Sequence, residues 1–290
     1  MLLIPTLISG LANGSMYGLI ALGFHVTWSV SRTVNFAQGT ATMLGAVLFY
    51  VLLVRGELPL VLALVIALAL CGLYGMLVER VAVRPFRQRG AEGWLMATVA
   101  AGIVVDNVVM FSFGREPRGM PPLLDMETLR IGGVGIEPLQ IIIPVVGLLL
   151  ALLFWAVTRF TRVGKAMLAV VQNVDAASLM GINVTRMIVA SYFLSAVLAG
   201  IAGILIAPLY TVSATMGFVF GIKAFAVGIL GGLDNPWGVV AAGLVFGLAE
   251  SLITAYIGSQ WTVLITFGLV ILALLARPQG LFGREAAVKV

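Results

Sequence analysis

Eight stretches of this chain are apolar for long enough to cross a bilayer, and no other feature narrows the possible folds so far. They lie near 3–30, 36–54, 58–79, 94–113, 139–158, 187–207, 238–257 and 260–276, and a helix needs about 20 residues to traverse a hydrocarbon core roughly 30 Å thick. A ninth stretch, near 219–232, is short and glycine-rich, so the count is eight or nine according to whether it crosses fully. Only 10% of the 290 residues are charged and the mean hydropathy is +1.13, which leaves too few polar groups to cover a soluble globule. The runs are continuous, whereas strands of an outer-membrane barrel alternate apolar and polar over about ten residues. The expected fold is an all-α polytopic integral membrane protein, one transmembrane domain over 1–290 in contact with lipid, with some helices short or broken. The start, MLLIPTLISG, lacks the basic region and small-residue cleavage site of a signal peptide and reads as a retained helix. With Cys71 the single cysteine, neither an intrachain disulfide nor a cysteine metal cluster can form.

Basic residues in alternate loops set the orientation. Arg32, Arg80, Arg84, Arg87, Arg89, Arg159, Arg162, Lys165, Arg186, Arg277, Arg284 and Lys289 form one group, against Arg55, Arg115, Arg118 and Arg130 in the other. The larger group is expected in the cytoplasm with the C-terminus, and the N-terminus outside. The opposite loops carry Glu57, Glu116, Asp125, Glu127 and Glu137, the longest being an external loop over 114–138. The pI of 9.7 is then a topology signal. Basic patches interleaved with aromatics are absent, so no nucleic-acid partner is implied.

One cytoplasmic loop, 159–186, contains VDAASLMGIN at 174–183. Asn173 suits an N-cap, and Asp175 places a carboxylate in the first turn, where the helix dipole favours it. Ala176, Ala177, Leu179 and Met180 are good helix formers, and Gly181 can adopt the left-handed conformation that stops a helix. Two turns cannot span a membrane. Such a helix either docks on a protein or lies among the headgroups beside its basic flanks.

Asp175-Ala176-Ala177 followed by Gly181 resembles the EAA loop of ABC-importer permeases. NGSMYGLIALGF (13–24), NFAQG (35–39) with LGA (44–46), SAVLAGIAGILIAP (195–208), KAFAVGILGGLDNPWGVVAAGLVFGLAES (223–251) and RPQGLFG (277–283) extend the likeness. Together they resemble the permeases of bacterial branched-chain amino-acid ABC importers. The resemblance implies an inner-membrane permease whose coupling helix, built on Asp175, Ala176, Ala177, Leu179, Met180 and Gly181, seats in an ATPase groove. It also implies a second permease, two cytoplasmic ATPases and a periplasmic substrate-binding protein. Consistent with that division, the chain has no phosphate-binding loop: Gly164-Lys165-Ala166 lacks both the upstream glycine and the hydroxyl that would hold magnesium. ATP and magnesium belong to partner subunits, and this chain holds no cofactor or metal. The likeness departs at Gln38-Gly39-Thr40, where family members often carry His-Gly and an acidic residue.

Ionisable residues within spans are candidate functional groups. Asp106, beside Asn107, reads as a carboxylate bonded to a neighbouring helix. Glu250 lies toward the outer end of its span, solvated or facing the partner permease. Lys223 opens the short glycine-rich piece and either snorkels to an interface or meets substrate. His25 reads as a packed, hydrogen-bonded residue. Glycine and other small residues recur every four positions at 10, 14 and 18, at 191, 195, 199 and 203, at 228 and 232, and at 243 and 247, a spacing that lets helix backbones approach. The candidate pathway comprises Asn13, Ser15, Tyr17, Asn35, Gln38, Thr40, Lys223, Gly228, Gly231 and Gly232. In GILGG the glycines are expected to break a helix and expose backbone polar groups. So sparse a charge set suits an importer of branched-chain or other neutral amino acids, or of urea and short amides. A secondary transporter would need a carboxylate relay, and a membrane enzyme a metal site or nucleophile–base pair.

Overall fold

A computed structural model describes residues 3–121, 129–131 and 134–283. Twelve α-helices follow in chain order: α1 (Leu3–Ser31), α2 (Gln38–Tyr50), α3 (Leu60–Val78), α4 (Arg84–Gln88), α5 (Trp94–Phe113), α6 (Pro138–Phe160), α7 (Arg162–Gln172), α8 (Val174–Leu179), α9 (Val184–Ile206), α10 (Met216–Gly231), α11 (Pro236–Tyr256) and α12 (Ser259–Ala276). Eight helical runs among the described residues are long and apolar enough to cross a membrane. The ninth apolar stretch is α10, whose 16 residues extend about 24 Å and fall short of the hydrocarbon core. The all-α expectation needs one amendment. Within 114–138 a small antiparallel hairpin pairs β1 (Leu129–Ile131) with β2 (Val134–Ile136). Asp125, Glu127, Arg284 and Lys289 lie outside the described residues.

Two loops of the sequence reading are helical. The run begun by α3 continues past residue 79 to Gln88 through a π-helical turn, Glu79–Val83. Five-residue periodicity there stacks Arg84 on Glu79, whose carboxylate is fully buried and accepts Arg84 Nε at 3.2 Å and Nη2 at 2.8 Å. In 159–186, α7 precedes the expected short helix. Thr161 caps it by accepting the Gly164 amide at 3.0 Å, and Gly164, Met167 and Val170 face inward at helical spacing.

The bundle is built around α1, which packs on α6, α9, α10 and α11, and small residues set the helix spacing. A Cβ on Gly14 would lie 2.6 Å from the Gly243 carbonyl oxygen, and one on Gly203 would lie 1.9 Å from that of Thr42. The expected four-residue stripes are therefore seams, one between α1 and α11 and another between α9 and α2.

Two irregular segments fold back into the bundle. After Arg32, residues 33–37 return far enough for Gln38, at the start of α2, to donate to the Ile20 carbonyl at 3.4 Å and the Ser195 carbonyl at 3.0 Å. From the opposite end, the segment between α9 and α10 brings the Tyr210 hydroxyl 2.9 Å from Asn13 Oδ1. The starts of α2 and α10 meet inside: a Cβ on Gly217 would lie 2.4 Å from the Gly39 oxygen. Irregular backbone at such depth is tolerated where protein covers it.

Candidate functional site

At the centre of α1, fourteen residues from either end, Tyr17 faces the middle of α10 and the outer part of α11. Lys223 Nζ on α10 lies 2.5 Å from Glu250 Oε1 on α11 and donates to the Tyr17 hydroxyl at 3.3 Å. The two charged side chains are 14% and 11% exposed. Lys223 therefore does not snorkel to an interface: a carboxylate within reach neutralises it in place. Nor is Glu250 solvated, since its Oε2 is buried and has no hydrogen-bond partner. Rings close the surroundings. Phe220 and Phe246 pack on Tyr17 with centroids 6.0 and 5.7 Å away, and Tyr210 meets Phe220 at 5.7 Å. Tyr210 escaped the sequence reading because it lies just beyond a span, and its depth depends on how the following segment folds back.

The other candidate pathway residues separate into different surroundings. Ser15 bonds to the Leu11 carbonyl at 2.8 Å and packs against Gly147 of α6. Asn35 is buried in the turn before α2, its Oδ1 accepting the Ala37 amide at 3.1 Å. Gln38 is fully buried, and its Oε1 accepts the Ser195 hydroxyl at 2.8 Å, so it joins α2 to α9. Thr40 and Asp106 line a narrow cleft with Gly39, Gly102, Gly217 and Phe225. Asp106 is only half-buried, and its Oδ1 lacks a hydrogen-bond partner. Asp106 still meets the Thr40 side chain of α2, in keeping with the expected bond to a neighbouring helix, while its free oxygen borders the cleft.

GILGG ends α10 as expected, but its backbone carbonyls are not left open. The helix runs through Gly228 and ends at Gly231, and Gly232 turns the chain with φ +80°. A Cβ on Gly231 would lie 2.5 Å from Val239 Cα, and the Leu230 carbonyl accepts the Leu281 amide at 2.7 Å. These glycines allow close packing at the basic end of the bundle, where the Gly232 carbonyl accepts the Asn235 amide at 2.9 Å. The same end holds an Arg32–Asp234 ion pair at 2.7 Å and His25, whose Nδ1 lies 2.6 Å from the Leu233 carbonyl, as a packed histidine requires. Arg55 and Arg118 gather on Phe113 at the far end.

At the basic end, α8 forms as its residues dictate. Asn173 Oδ1 accepts the Ala176 amide at 2.9 Å, and Gly181 has φ +83°. Leu179 and Met180 are 89% and 83% exposed, more than any other large apolar side chain among the described residues. Ala177 differs from expectation: it is 4% exposed and packs within this chain, so it belongs to the base of the helix and not to its outer face.

A polytopic bundle with re-entrant segments, a sequestered ion pair at mid-depth and a short capped helix projecting from its basic end has the form of a membrane permease domain. The chain belongs to the family described as branched-chain amino acid transport system / permease component, whose model matches residues 6–275. It is a permease component of the ABC type, a transport subunit and not an enzyme. Among its relatives, the high-affinity branched-chain amino acid transport system permease protein LivH of Escherichia coli K12 is 30% identical over 97% of this chain and 96% of its own length. BraD of Pseudomonas aeruginosa is 32% identical over 98% and 97%. In fold the chain is similar to PsaBC from Streptococcus pneumoniae, solved in complex with Fab, with TM-score 0.52 and 11% identity over 93% of this chain and 91% of that one.

Proposed function

We propose that this chain is the transmembrane subunit of an ATP-driven importer for branched-chain or other neutral amino acids. It takes substrate from a periplasmic binding protein, pairs with a second permease and docks on two cytoplasmic ATPases that hold ATP and magnesium. The basic end faces the cytoplasm of a bacterial inner membrane, with the C-terminus inside and the N-terminus outside. The observation that carries this reading is α8: a rigidly capped helix presents Leu179 and Met180 to solvent, among basic residues, in a chain related over nearly its whole length to amino-acid permeases. Exposed apolar side chains of that size suit a partner groove.

Mechanically, α8 joins α9 through the turn at Gly181, and α9 packs on α1, α2 and α3. A displacement of α8 by closing ATPases therefore reaches the helices that surround Lys223. The test is uptake by the importer reconstituted with its ATPases and binding protein in proteoliposomes. ATP-dependent accumulation of leucine, isoleucine or valine is expected. Uptake confined to urea or short amides would refute the substrate class, and failure to associate with an ATPase would refute the coupling.

A further inference from the structure

The Lys223–Glu250 pair is a costly way to hold two helices together. Removing both charges from water is offset only in part by their attraction, and apolar or neutral residues of similar size commonly pack as well. The pair is also incomplete. An ammonium has three donors, and Lys223 directs two of them to Glu250 Oε1 and the Tyr17 hydroxyl. Glu250, 92% buried by its 8% exposure, has Oε2 without any partner. One donor with positive charge and one acceptor with negative charge are thus left open on the same ion pair, next to Tyr17, on which the rings of Phe220 and Phe246 pack.

We infer that Lys223, Glu250 and Tyr17 form a transit site for a zwitterionic α-amino acid. The substrate carboxylate takes the open donor of Lys223, its ammonium takes Glu250 Oε2, and its aliphatic side chain lies against the aromatic rings. Charge balance follows. The site is neutral when empty, because the two residues compensate each other, and neutral when loaded, because the zwitterion carries no net charge. The substrate adds two ion pairs while the contact between Lys223 and Glu250 Oε1 stays closed, so its departure leaves neither residue without a countercharge, which favours passage over retention. Tyr210, 43% exposed and bonded to Asn13, packs on Phe220 beside the site. An uncharged amide would offer neither group a countercharge. The inference rests on the amino-acid reading of the previous section and sharpens it to zwitterions.

The assembled importer in proteoliposomes provides the test, with complex assembly and thermal midpoint read beside leucine uptake. Lys223→Met and Glu250→Gln, made singly, leave one buried charge unpaired and are expected to lower assembly. The double variant removes both charges. It is expected to recover assembly and the thermal midpoint while uptake stays at or below one tenth of the unaltered level. Recovery of at least half the uptake by the double variant would show that the pair only packs helices and would overturn the inference. Glu250→Asp serves should the double variant fail to assemble. It keeps the charge pair within reach of the flexible lysine but withdraws the open oxygen, so uptake should fall at least fivefold in an intact complex, and full uptake would overturn the site. Uptake by the unaltered importer of uncharged solutes alone would overturn the functional reading and this inference together. Amino-acid uptake insensitive to these variants would overturn the inference alone.

Discussion

Replacing Gly203 by alanine places one methyl group where α9 has no room for it. The added Cβ would lie 1.9 Å from the Thr42 carbonyl oxygen, 2.9 Å from the Thr42 carbonyl carbon and 3.2 Å from the Ala46 nitrogen. All three are backbone atoms, so no side chain can rotate away. Ordinary contact begins near 3.4 Å, and 3.4 less 1.9 requires α2 and α9 to part by about 1.5 Å. The Ser195–Gln38 hydrogen bonds, at 2.8 and 3.0 Å, cross the same seam and would stretch with it. Overpacking of this kind costs roughly 1–3 kcal/mol, and each weakened hydrogen bond adds up to about 1 kcal/mol. Higher helix propensity returns about 1 kcal/mol. Because the overlap is severe, the overpacking cost belongs at its upper end, and the net destabilisation should be about 2–4 kcal/mol. Gly268→Ala is the control, since a Cβ there meets nothing within 4 Å and should leave stability equal or slightly raised. Unfolding in mixed detergent micelles measures both. Gly203→Ala as stable as Gly268→Ala would refute the argument that small residues set this helix spacing.

Charging the exposed apolar tip of α8, with Leu179→Glu and Met180→Glu together, should leave membrane abundance unchanged and reduce co-purification with ATPase at least tenfold; undiminished association would move the docking surface elsewhere. Ala177→Trp should instead lower abundance, because Ala177 is buried within the chain and a bulky ring there costs about 1–3 kcal/mol, which pulse-chase turnover can measure. Gly181→Val, forcing a branched side chain into φ +83°, costs roughly 1–2 kcal/mol at the turn between α8 and α9; stimulated ATP hydrolysis should fall severalfold at normal abundance. Asp106→Asn, on the border of an open cleft, should assemble normally and keep at least half of wild-type uptake, as transport across a pH series would reveal.

The class of the protein and the position of nearly every span were legible in the sequence, because transfer of an apolar segment into lipid is a local property that a run of about 20 residues displays by itself. So was α8: a cap at Asn173 and a left-handed stop at Gly181 act over three or four residues and need no distant partner. The family likeness was legible for the same reason, carried by short contiguous stretches. What tertiary structure alone decided was which residues share a site. Lys223 lies 27 residues from Glu250 and 206 from Tyr17, and their meeting depends on the rotation and tilt of three helices. In a soluble helix the apolar stripe betrays that rotation, whereas in a bilayer the lipid-facing and protein-facing sides are both apolar and the pattern is silent. Hence Lys223 resembled a snorkelling residue, Ala177 a docking residue and GILGG a source of open backbone polar groups. Each was reassigned only when neighbouring helices supplied a carboxylate, a packed core and a closely approaching backbone.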